Sequence, residues 1–148
     1  MEYLDAVHGL AEEVGRAAGL SRSRAFELGM AVREAFVNAI THGNRLDPRK
    51  KVRLSFRVRE AALRVCIGDE GSGFDPGATP DPLAPENLTR PEGRGILLIR
   101  HYVDRLEVRR TRSGGAKICM SKRLEAAAHR GRPSRRDGQG HPPAQARG

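Results

Sequence analysis

Arg33-Glu34-Ala35-Phe36-Val37-Asn38-Ala39-Ile40-Thr41-His42-Gly43 has a helical pattern that carries polar groups between apolar ones. Glu27, Glu34, Asn38 and Thr41 recur at spacings of seven, four and three, which stacks them in one narrow stripe along a helix. Phe26, Met30 and Val37 border it on one side, and Leu28, Val32, Phe36, Ala39 and Ile40 on the other. A solvated helix face is normally polar over a wide arc, so a carboxylate and a carboxamide one turn apart between apolar flanks point to a ligand. Asn38 offers a neutral oxygen suited to Mg²⁺, and Glu34 a carboxylate suited to accepting a proton or holding metal-bound water. Taken alone, the plainer reading is favoured: a surface glutamate and a locally bonded asparagine.

Working outward, Glu2 to Ala18 places Leu4, Val7, His8, Leu10, Ala11 and Val14 at the three-and-four spacing of an amphipathic helix, closed by Gly19. Ser21 or Ser23 can cap the next helix, which the pattern carries to about His42 and stops at Gly43-Asn44. Lys51 to Arg59 and Ala62 to Asp69 alternate apolar and polar residues around a short turn, predicting a hairpin. Glu70 to Arg94 has no periodicity and many Gly and Pro residues, the mark of a lid or binding loop. Gly95 to Val103 reads as a short helix, and Arg105 to Arg110 with Ala116 to Lys122 as a second hairpin turning at Ser113-Gly114-Gly115. The order predicts an α+β two-layer sandwich with helices on one face of a sheet.

Composition shifts at Glu125, after which Gly, Pro, Arg, Gln and Ser dominate. Residues 1–124 are therefore expected to form the domain, and 125–148 a disordered basic tail. The chain has 148 residues and a net charge of +9, of which five arginines against Asp137 place +4 in residues 126–148. The remaining charge has no aromatic platform or recognition-helix motif beside it, so direct nucleic-acid binding is not expected. No window approaches the roughly 18 apolar residues of a membrane span, and the N-terminus lacks a secretory pattern, so the expected location is the cytoplasm, away from membranes. Cys66 and Cys119 each sit alone in an apolar strand-like run and read as buried core thiols rather than a disulfide framework or metal site.

Two further motifs carry chemistry. Asp69-Glu70-Gly71-Ser72-Gly73-Phe74 stands where a strand ends, so that Asp69 can accept from an exocyclic amine such as adenine's while Gly71 and Gly73 let the backbone pass close to a ligand. An ordinary glycine turn would look the same. Gly93-Arg94-Gly95 precedes Ile96-Leu97-Leu98-Ile99, where a helix start exposes N–H groups to phosphate and Arg94 adds a full charge. Neither a Walker loop nor a Rossmann fingerprint occurs.

Order and spacing together resolve these ambiguities. A helical E-x-x-x-N, a strand-terminal D-x-G-x-G, a lid and a G-x-G opening a helix resemble the N, G1 and G2 boxes of the GHKL superfamily of histidine kinases, gyrase and mismatch-repair ATPases. Within it, Arg33 to Gly43, Asp69 to Asp75 and Gly93 to Ile96 look like the bacterial anti-sigma-factor serine/threonine kinases, a resemblance covering about residues 3 to 124. It implies a Bergerat fold, a mixed and mainly antiparallel sheet backed by helices, with ATP and Mg²⁺ under a lid. Glu34 then matches the catalytic base and Asn38 the Mg²⁺ ligand. Asp69 matches the adenine-binding carboxylate, with Gly71 and Gly73 in the G1 turn and Gly93, Arg94 and Gly95 in the phosphate loop. His42 lies near enough in sequence to approach a phosphate.

The implied activity is ATP-dependent phosphorylation of a serine or threonine on an anti-anti-sigma (STAS-type) protein, with a sigma factor as second partner and a homodimer as the assembly. A non-enzymatic ATP-dependent sigma clamp and a histidine-kinase-like fragment acting in trans are the alternatives. Thr41 stands where many relatives carry a Lys, Ala116 follows Gly114-Gly115 where relatives often have Thr, and a helix pattern begins at Glu2 where the family usually begins with a strand.

Overall fold

The computed structural model describes residues 2–72 and 94–125. The expected loop glycines Gly73 and Gly93, and the tail beyond Glu125, lie outside the described residues, as does the side chain of Arg94. Helix α1 spans Glu2–Ala18 and α2 spans Arg22–Asn38. The chain then continues as a π-helical turn, Ala39–Gly43. Strands β1 (Arg53–Arg59) and β2 (Ala62–Gly68) follow, then helix α3 (Arg94–Tyr102) and strands β3 (Arg105–Arg110) and β4 (Ala116–Arg123).

The strand order is β1-β2-β4-β3, and all three described pairings are antiparallel. Both hairpins fall where alternation places them. The first turns through Glu60 and Ala61 at φ 49° and 56°, the twist a two-residue hairpin needs, supplied here without the usual Asn-Gly.

Alternation sorts each strand between two faces. Leu63, Val65 and Ile67 of β2 with Met120 of β4 point toward the helices and are almost fully buried. Helix α2 lies between α1 and α3 and crosses β2, so its Leu28, Ala31, Val32 and Ala35 fill the centre of the core. Each fully buried aliphatic side chain there contributes about 1.5–3 kcal/mol.

One charge enters this face. Lys122 of β4 is only 3% exposed, and its ammonium donates to Glu27 of α2 and to the carbonyl of Tyr102. Its pairing answers the desolvation that an isolated ammonium would suffer. At the end of the described chain, Arg24 donates to the carbonyl of Arg123 and pairs with Asp104, and the Glu125 carboxylate accepts from the Ser21 amide. Hydrogen bonding from Ser21, its hydroxyl first and its amide second, with Arg24 nearby, holds the Glu125 carboxyl below the usual glutamate range.

The reading of the cysteines as buried core thiols is corrected in its chemistry: Cys119 is buried and Cys66 half-buried, but they are not free thiols. Cys66 of β2 and Cys119 of β4 stand directly opposite one another and form a disulfide on the face turned away from the helices. Their alternation with Val65, Ile67, Ile118 and Met120 puts them outside the core although each is flanked by apolar residues. Among the described residues no helix is long and apolar enough to cross a membrane.

Candidate active site

The polar stripe of α2 is distributed among three separate environments. Glu27 pairs with Lys122, an internal ion pair. Thr41 turns its hydroxyl back onto the helix and donates to the Val37 carbonyl at 2.8 Å. Glu34 and Asn38 alone face the start of α3. A Cβ built on Gly95 would overlap Glu34 Oε1 and come within 3.1 Å of Asn38 Nδ2, so only glycine lets the α3 N-terminus approach both side chains this closely. Among the described residues neither Glu34 nor Asn38 has a hydrogen-bond or ion-pair partner. Both remain available beside a helix end whose N–H groups favour an anion.

Asp69 is the second focus, and it is built differently. It follows β2 directly, is 9% exposed, and its Oδ1 accepts from the Gly71 amide at 2.9 Å and the Ala116 amide at 3.0 Å. Its own amide donates to the Ala116 carbonyl at 3.0 Å, extending the β2–β4 pairing by one residue. Three glycines press on it: a Cβ on Gly43 would overlap the Asp69 carboxylate, one on Gly115 the Asp69 carbonyl, and one on Gly71 the Gly43 carbonyl. One carboxylate oxygen is thus committed to holding the turn, while Oδ2 has no hydrogen bond among the described residues.

The π-helical turn links the two foci. Asn38 ends α2 and Gly43 abuts Asp69, so five residues carry the chain from one to the other. Single π turns inside helices are rare and recur at functional sites. Asn44 fixes the exit: it is 3% exposed, accepts from the Glu70 amide at 2.9 Å and donates to the Lys51 carbonyl at 3.1 Å. Its amide donates to Ala39 at 2.8 Å, closing the π turn. His42 lies exposed on that turn.

Sequence patterning marks Glu34, Asn38, Asp69, Gly71 and Gly95, and the structure brings Glu34, Asn38 and Gly95 together and sets Gly71 against Asp69. Gly43 closes the Arg33 to Gly43 motif, while Asn44 and Gly115 belong to the same construction but carry only turn signals in the sequence. The Gly-Asn pair after a long helix and the Gly-Gly pair in a hairpin are compatible with any turn.

This is the framework of an ATPase domain of the histidine-kinase type: an antiparallel sheet covered by helices, with an acidic strand end and a helix carrying Glu and Asn one turn apart beside a glycine-started helix. The chain belongs to that family, residues 1–122 matching the family described as histidine kinase-like ATPase domain. It is 31% identical over 98 residues to the anti-sigma F factor of Clostridium perfringens, covering 64% of this chain and 69% of that one. It is 29% identical over 129 residues to the serine-protein kinase RsbW of Bacillus subtilis, covering 83% and 79%. Among solved structures, the histidine kinase domain of the Erythrobacter litoralis EL346 blue-light activated histidine kinase superposes with a TM-score of 0.58 at 22% identity, covering 83% of this chain and 60% of that one. The catalytic domain of histidine kinase ThkA gives a TM-score of 0.58 at 14% identity, covering 82% and 91%. These structures share the fold.

Proposed function

We propose that this protein is an ATP-dependent serine/threonine protein kinase of the anti-sigma type, which phosphorylates a STAS-type anti-anti-sigma protein and binds a sigma factor in the cytoplasm, as a homodimer. The observation that carries the reading is the unpartnered Glu34–Asn38 pair held against Gly95 at the start of α3. Relatives named anti-sigma F factor and serine-protein kinase support the choice of acceptor and partner.

The donor set fits a magnesium nucleotide. When bound, the nucleotide supplies the γ-phosphoryl group and the metal neutralises phosphate charge. Among the described residues no cluster of three His, Cys, Asp or Glu side chains could hold a metal, so Asn38 would ligate it together with phosphate oxygens, the usual arrangement for Mg²⁺. Asp69 Oδ2 would accept from the adenine amine, with Gly71 and Gly73 letting the backbone pass beside the base. The α3 N–H groups, in the segment Gly93-Arg94-Gly95, would donate to phosphate with Arg94 and His42 nearby. Thr41, bonded to Val37, adds no cation where relatives carry lysine. Glu34 would accept the proton of the acceptor hydroxyl as its oxygen takes the phosphoryl group and ADP departs.

The test is phosphotransfer from ATP-Mg²⁺ to purified STAS-type proteins, with the modified residue located by mass. Glu34→Gln keeps size and hydrogen bonding, so transfer should fall by about 10²–10⁴-fold while ATP affinity changes little. Undiminished transfer by Glu34→Gln rules out the base role. ATP and sigma-factor binding by a wild type that phosphorylates no partner makes the protein a clamp.

A further inference from the structure

The sheet face turned away from the helices has no covering layer among the described residues, and the register sorts it into rungs. Arg53, Gly68, Lys117 and Arg109 align across the four strands, then Ser55, Cys66, Cys119 and Glu107, then Arg57, Arg64, Ser121 and Arg105. With Arg59 and Arg123 in the next rung, the outward positions hold eight cations against one carboxylate, Glu107. The face is concave, enclosing about 890 Å³, and Glu60 and Asp104, outside the strands, also line it, Asp104 being already paired with Arg24. Two cationic rows therefore flank a strip made of Ser55 and the Cys66–Cys119 disulfide, with the rows about 13 Å apart.

We propose that this face is a docking surface for a protein partner presenting an acidic segment, laid along the strip over Ser55 and the disulfide so that its carboxylates meet the arginine rows on either side. The surface already binds one carboxylate in this manner. Glu107 Oε2 accepts from Arg64 at 3.0 Å and from Arg109 at 2.7 Å, so guanidinium groups from the two rows converge on one carboxylate. A nucleic acid fits less well: no outward position of the four described strands is aromatic, so bases have nothing to stack on. A second copy of the chain is disfavoured too, since face-to-face packing would oppose two surfaces of the same strong charge. The surface lies across the sheet from Glu34 and Asn38, and its use does not depend on phosphoryl transfer.

The experiment uses the full chain and three probes: a fluorescein-labelled peptide with eight glutamates spaced by Gly and Ser, a DNA duplex of matched net charge, and ATP. The peptide should bind in a salt-sensitive manner. Arg57→Ser with Arg105→Ser should weaken it about tenfold, as should Arg53→Ser with Lys117→Ser from the other row. Arg22→Ser with Arg112→Ser, which removes the same charge elsewhere, should weaken it less than about twofold. ATP affinity should be unchanged in all three, showing that the variants fold and keeping this outcome separate from that of the kinase assay. Equal weakening by the control pair overturns the proposal, as does tighter binding of the duplex that the face variants abolish. A dimer in sedimentation that the face variants dissolve would reassign the surface to self-association.

Discussion

The two faces of one sheet are held in opposite ways. Toward the helices, Leu63, Val65, Ile67 and Met120 are ordered by close packing, and a buried charge there, Lys122, is tied to Glu27 and Tyr102. On the other face Arg64, Glu107 and Arg109 are ordered by ion pairs and Cys66 and Cys119 by a covalent bond. Substitutions on the inner face should act sterically, independent of salt, pH and redox state. Substitutions on the outer face should depend on all three. The site at the strand ends combines both: Asp69 is packed by glycines, and its Oδ2 has no hydrogen bond among the described residues.

The largest effect is expected on the packed face. Met120 is fully buried, so Met120→Ala should lower the unfolding free energy by about 2–5 kcal/mol. Urea titrations with and without reductant should give the same loss, and a loss confined to the oxidised protein would break the contrast between faces. Next comes the cross-link, which joins residues 53 apart in sequence. Cys66→Ser with Cys119→Ser should reduce stability by roughly 2–4 kcal/mol relative to the oxidised chain and by little relative to the reduced one. Because a reducing environment opens such bonds, this contribution is conditional where the inner-face one is not.

At the site, Asp69→Asn should weaken ATP binding by about 1–3 kcal/mol, the usual loss for a charged hydrogen-bond partner. GTP, which presents a carbonyl where adenine has its amine, should bind the wild type more weakly than ATP. Calorimetry giving equal affinities would remove the adenine-reading role from Asp69. The smallest effect concerns Glu107. The hydrogen bond from Arg64 chiefly, with Arg109 adding, holds its carboxyl below the usual glutamate range against a smaller opposing effect of burial. A lowered carboxyl stabilises the fold above its ordinary titration range and loses that contribution as the pH falls through its folded value. Glu107→Gln should therefore cost no more than about 1 kcal/mol at neutral pH and almost nothing in acid, and less in high salt. A pH-independent cost would mean that packing, not charge, orders this part of the outer face.

What the sequence by itself determined is local. Three-and-four spacing sets α1 at Glu2–Ala18, and strict alternation sets β1 and β2 together with the inward direction of Leu63, Val65 and Ile67. The motif order marks Glu34, Asn38 and Asp69 without any contact being known, because helical and strand periodicities are properties of the backbone over a few residues. Only the tertiary structure decided which distant groups meet. The β1-β2-β4-β3 order makes Cys66 and Cys119 direct neighbours, and a single-strand view cannot see that order. The stripe on α2 looks continuous until β4 presents Lys122 to Glu27 and α3 presents Gly95 to Glu34 and Asn38. Asn44 and Gly115 likewise gain their roles from Glu70 and Asp69, which reach them across the fold. Periodicity tells a residue which way to face, whereas its partner is chosen by sheet order and helix packing, whose contacts join residues far apart in the chain.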